Sequence, residues 1–187
     1  MSTTPKPKRK PEVIVPDHHI PLAQFVKQYG VPGQVPVDVE GMLERAGITL
    51  RRVVTQKRNG VKLVEIGNGL SLTIFINAKE SMYSSVQRTA VATTFALFLS
   101  NAPKDRWEWF DNHSGQTHND PHDIYAQRFA LELLVPMTSL REFLKDKLPM
   151  PRRQVFQSIA DQYDVPLFYA VQRVSYLEYL IEQEQKR

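Results

Sequence analysis

The sequence predicts an α+β fold: helices, then a small and mostly antiparallel three-stranded sheet, then helices, one of them central to the core. Three observations predict it. Apolar residues recur at helical spacing before residue 47, β-branched runs alternate between residues 49 and 78, and a long apolar segment at 84–100 opens a second helical half.

The elements follow in order. Residues 1–16 read as a disordered arm, with Pro5, Pro7, Pro11 and Pro16 set among lysines. The stretch HHIPLAQFVKQYGVPGQ gives a short amphipathic helix ending at Gly30, with Pro32 and Gly33 as breakers. In VPVDVEGMLERAGI, the residues Val39, Met42, Leu43 and Ala46 mark one helical face and Gly47 the stop. Strands are expected at 49–56, 61–67 and 70–78, separated by the turn-like KRNG and by Asn68-Gly69. Residues 84–100 form a helix apolar on most faces, which belongs in the core.

A polar loop is expected over 101–122, followed by a helix at 123–134 that stops at Pro136 and a short helix in TSLREFLKDKL. The closing segment, 150–187, has the rhythm of a helix–turn–helix: Ile159 and Ala160, then Val165 in the turn, then Ala170, Val171 and Val174. Residues 17–187 thus read as one domain behind the arm.

Composition excludes several chemistries. The chain has 187 residues and no cysteine, which removes disulfide scaffolds, thiolate zinc sites, iron–sulfur clusters and thiol nucleophiles. The formal charge is +4, yet Lys6, Lys8, Arg9 and Lys10 against Glu12 put +3 of it in the arm. A basic surface over the whole fold is therefore not indicated. The start MSTTPKPKRK has no apolar stretch behind its charges, and no window is apolar enough to span a bilayer. The expected location is cytoplasmic, with no membrane partner. No serine lies in a Gly-x-Ser-x-Gly elbow, and the eight glycines form no phosphate loop.

Three blocks in order, PVDVEGMLERAGI, LSLTIFINAKESMYSSVQRTAVATTFALFLS and YAQRFALELLVP, make residues 36–178 resemble the ImmA/IrrE-type, zincin-like metallopeptidase domain. The resemblance implies a sheet strand ending in Asn, a metal-binding helix and a third-ligand helix. Active relatives carry His-Glu-x-x-His on the central helix, where two histidines one turn apart hold zinc and the glutamate activates its water. With Thr89 and Leu97-Phe98-Leu99 in register, the first His falls on Ala92, the Glu on Thr93 and the second His on Ala96. The acidic slots of the third-ligand helix hold Asp123 and Tyr125, ahead of Ala126. One carboxylate does not hold zinc, so no cofactor is expected and catalytic residues are absent from the inherited positions. The resemblance implies a catalytically inactive pseudo-peptidase. Its role would be protein binding, as an antirepressor, co-repressor or immunity partner. Its partner would be a helix–turn–helix repressor or a toxin–antitoxin protein from a prophage or mobile element.

Other constellations compete with that reading. His113, His118 and His122 beside Asp123 are the residues from which a metallopeptidase with a rebuilt site would draw its zinc ligands. His18-His19 reads as surface. The aromatic residues Trp107, Trp109 and Phe110 suit either a partner anchor or a cover over the central helix. A DNA-binding regulator would use the arm (Lys6, Lys8, Arg9, Lys10) and the segment 141–153, where Arg141, Lys145, Lys147, Arg152 and Arg153 outnumber Glu142 and Asp146. Against it, the candidate recognition helix carries only Arg173 opposite Glu178 and Glu182.

Overall fold

The structure, a computed structural model, describes residues 22–31, 33–56, 60–66, 69–77, 84–100, 121–145 and 150–186. The basic arm, the aromatic residues Trp107, Trp109 and Phe110, and His113 and His118 lie outside the described residues, as does Lys147.

Helices α1 (Leu22–Tyr29) and α2 (Val39–Arg45) precede the sheet. Asp38 caps α2, its Oδ1 accepting from the Gly41 amide at 2.9 Å, which satisfies one of the unpaired donors of the first turn. Gly47, at φ +83°, turns the chain out of the helix and into the first strand. Strands β1 (Thr49–Thr55), β2 (Gly60–Ile66) and β3 (Gly69–Asn77) each lie within one residue of the expected bounds.

The sheet is mixed rather than mostly antiparallel. Its order is β1-β3-β2, with β2 antiparallel to β3 and β1 parallel to it. The short connection that pairs Ile66 with Gly69 makes β2 and β3 a hairpin. Strands β1 and β2, on either side of the turn-like KRNG, do not pair with each other but flank β3. Four residues separate Thr55 from Gly60. Extended, they reach about 13 Å, enough to pass two strand spacings of about 4.8 Å. Leu50, Leu63, Leu72 and Ile74 fall on the face turned to the helices.

Behind that face runs α3 (Ser84–Leu99), which packs against the sheet and against α2. Every residue from Thr89 to Leu99 is buried, as a helix apolar all round requires. Then come α4 (Pro121–Leu134), α5 (Met137–Lys145), α6 (Arg152–Tyr163) and α7 (Leu167–Gln185). Helix α4 begins two residues earlier than expected. Pro121 occupies the first helical position, where its missing N–H costs nothing. His122 therefore belongs to a helix and not to the loop.

Two arginines, Arg88 partly buried and Arg173 buried, tie the helical half together. Arg88 on α3 donates to the carbonyls of Tyr163 (2.8 Å) and Asp164 (2.6 Å) with Nη1, and to that of Val37 (2.7 Å) with Nη2. Its guanidinium also meets the Asp164 carboxylate at 3.1 Å. Asp164 itself ends α6 in the left-handed region, φ 47°, which Asp tolerates better than most residues. The sharp turn into α7 is thus held from below by α3, and Val165 is buried in it.

Candidate functional site

Ala92, Thr93 and Ala96 lie on the middle of α3, and both alanines are 0 % exposed. Helix α4 packs along α3, with Ala126 and Ala130 fully buried and the Phe95 and Phe129 rings edge-on at 6.4 Å. Small residues on both helices let the backbones approach closely. A methyl group offers no lone pair, so neither alanine can ligate a cation, and Thr93 is no general base near neutral pH. The residues at these three positions do not fit zinc.

The Thr93 position is covered by α7. Tyr169 is 6 % exposed, and burial holds its hydroxyl above the ordinary tyrosine value while the neighbouring Thr93 hydroxyl pulls it part of the way back. The two hydroxyls stand side by side without a bond of ordinary geometry, because Thr93 Oγ1 has no hydrogen-bond partner. Thr94 Oγ1 is likewise buried and unpartnered. A polar group left so costs about 1–3 kcal/mol. Thr89, by contrast, donates back to the Ser85 carbonyl at 2.8 Å, the usual escape for a helical threonine.

Asp123 and Tyr125 are placed by the first turns of α4. Asp123 shares a face with buried Ala126, whereas Tyr125 and its neighbour Ile124 are about two-fifths exposed. The Tyr125 ring rests on Phe129 at 6.0 Å, and partial burial raises its pKa. His122 Nδ1 lies 3.1 Å from Ser100 Oγ, joining the start of α4 to the end of α3. Ser100 spends its one proton on the Leu97 carbonyl at 2.8 Å. Among the described residues, no three His, Asp or Glu side chains gather closely enough to hold a metal ion.

Among the described residues, three cations of the DNA-binding alternative are paired with carboxylates. Arg141 meets Glu184 at 3.0 Å, Lys145 meets Glu142 at 2.7 Å and Arg152 meets Glu178 at 2.7 Å. Arg152 also lies over the Phe156 ring, and Arg153 is exposed. Arg173, the basic residue of the candidate recognition helix, is 3 % exposed: it donates to the Val135 carbonyl and pairs with Glu132. A buried guanidinium reaches no phosphate. The helix pair instead packs Ile159, Tyr163, Tyr169 and Leu177 into the main core.

Sequence reasoning missed Arg88, Tyr169 and the structural role of Arg173. An arginine amid an otherwise apolar helix was the available signal at Arg88. Nothing in the linear pattern places Tyr169 over Thr93. No protein-family model matches the chain, and no curated protein matches it either. No helix among the described residues is long and apolar enough to cross a membrane.

Proposed function

We propose that this chain is a non-catalytic, protein-binding regulator built on an ImmA/IrrE-like scaffold, working in the cytoplasm of a host that carries phage or mobile elements. The observation that supports this most is the closed site: two alanines and a threonine at the positions the resemblance gives to His, Glu and His, with Tyr169 beside the threonine. Such a site binds no substrate carbonyl and activates no water. What remains is surface. Its partner is a helix–turn–helix repressor or toxin–antitoxin protein, engaged at the start of α4, where Ile124 and Tyr125 stand exposed.

Direct DNA reading is the weaker alternative, since Arg173 is buried and three other cations are paired. A rebuilt zinc site would need His122 to be drawn away from Ser100.

The test is elemental mass spectrometry of untagged protein dialysed without chelator, joined to titration of the repressors encoded beside its gene. The expected result is negligible zinc, saturable binding of one repressor without cleavage, and binding weakened about tenfold by Tyr125→Ala. Stoichiometric zinc, or cleavage of the repressor, would overturn the proposal.

A further inference from the structure

Helix α7 buries one face and leaves the other apolar and open. Phe168, Tyr176 and Tyr179 are 57 %, 48 % and 54 % exposed, and Val171 is 37 % exposed. Such large apolar groups scattered singly would need no explanation, but these four share one side of a single helix. Only Gln172 and Ser175, both uncharged, lie between them.

The arrangement reads the same in both directions. About a point between Arg173 and Val174, Phe168 mirrors Tyr179, Val171 mirrors Tyr176, and Gln172 mirrors Ser175. A seam with that symmetry is self-complementary when a second copy is laid against it antiparallel, because a two-fold interface needs residue i to meet j and j to meet i. Aromatic then meets aromatic at both ends, and the two polar residues meet near the axis.

Charge agrees with this direction. The same mirror puts exposed Glu182 opposite Val165, at the start of the partner helix. There Pro166 supplies no side-chain cap, so the first-turn N–H groups present the positive end of the helix dipole. Parallel pairing would instead bring the acidic ends, Glu178, Glu182 and Glu184, together.

We infer that α7 is a homodimerisation surface, occupied by the α7 of a second copy in antiparallel register with Phe168 against Tyr179. The seam uses one helix of 19 residues, about 28 Å long, so the interface is small and the dimer exchanges with monomer at micromolar concentration. The inference is independent of the pseudo-peptidase reading, since no residue of the α3 site takes part.

Sedimentation equilibrium on the full chain, over a hundredfold range of concentration, tests it. The expected result is a reversible monomer–dimer equilibrium. Phe168→Glu and Tyr179→Lys should each weaken it about tenfold or more, and the double variant should recover much of the loss through a Glu–Lys pair across the axis. Both positions are exposed, so unchanged thermal midpoints will show that the variants fold. A second measurement exploits the absence of cysteine from the chain. Under mild oxidation, a mixture of the Gln172→Cys and Ser175→Cys variants should cross-link more than either alone. A chain that stays monomeric throughout overturns the inference and leaves the face to a different protein. A dimer whose double variant shows no recovery, or that cross-links most between identical cysteines, overturns it as well.

Discussion

Arg173 on α7 donates its Nε proton to the Val135 carbonyl at 2.8 Å, and that carbonyl lies just past the last residue of α4. The final carbonyls of a helix have no partner within it, and here a guanidinium from another helix supplies one. Its Nη2 pairs with Glu132, whose other oxygen accepts from the Met137 amide at 3.3 Å, so one side chain fixes the bend between α4 and α5. Arg173→Ala removes a charged hydrogen bond and a buried stem together, and should cost about 2–3 kcal/mol. Glu132 is two-fifths exposed and regains water, which keeps the loss from being larger. Thermal unfolding followed by circular dichroism should show a fall of roughly 4–12 °C. An unchanged midpoint would mean that α7 does not anchor α4.

Arg88 should resist replacement even by lysine. It serves three carbonyls from two directions, Tyr163 and Asp164 on one nitrogen and Val37 on another. An ammonium group on a flexible stem cannot span that fork. Arg88→Lys is expected to lose about 1–2 kcal/mol and Arg88→Ala about 3 kcal/mol in urea unfolding. Equal midpoints for wild type and Arg88→Lys would show that charge alone matters here.

Thr94 offers the opposite sign. Its hydroxyl is fully buried and unpartnered, so replacing it by the near-isosteric valine removes a polar penalty with little change in shape. Thr94→Val should stabilise the chain by about 1 kcal/mol, a rise of roughly 2–4 °C. A loss of stability would mean that the hydroxyl has a partner after all, such as a bound water.

What the sequence made legible was local. Periodicity placed α3 and the three strands to within a residue or so, because burial of one face leaves its mark in consecutive residues. Strand neighbours carry no such mark: β1 alternates equally well beside β2 or beside β3, and only the tertiary structure chooses the parallel partner. The start of α4, two residues earlier than expected, was hidden for a different reason, since the proline that breaks a helix interior also begins one. At the site, Ala92 and Ala96 were read as lacking ligands from their identity alone. That Tyr169 stands beside Thr93, and that Arg173 faces inward, depends on how α7 packs some eighty residues later in the chain.

Restoring ligands should not restore a metal centre. Ala96 is fully buried between helices that carry small residues, and an imidazole adds a ring of about five heavy atoms beyond the alanine methyl to a closed position. Ala96→His is expected to cost about 1–3 kcal/mol through overpacking, with a further penalty for the buried ring nitrogens. Adding zinc should leave the melting temperature of Ala92→His/Thr93→Glu/Ala96→His where it was, measured with and without the metal. A zinc-dependent rise would mean that the packing around α3 still retains the geometry of a metal site.

Alkaline pH should unfold the chain partly through Tyr169. Burial raises its pKa in the folded protein, and the neighbouring Thr93 hydroxyl offsets only part of that rise. As pH climbs past about 10, the unfolded chain therefore loses this proton first, and ionisation draws the equilibrium towards unfolding. The contribution is whole below that pH and is lost as pH rises through the folded-state value. Tyr163 shifts the same way by burial, against a smaller opposing effect from its 2.8 Å hydrogen bond with Ser139, so its contribution has the same sign. Tyr169→Phe isolates one of the two: it keeps the ring and deletes the titrating group. Between about pH 9 and about pH 11, wild type should lose stability to urea more steeply than Tyr169→Phe, whereas near neutrality the two should show the same pH dependence. Parallel curves across that range would mean that the Tyr169 hydroxyl reaches solvent in the folded chain, and that the cover beside Thr93 is open.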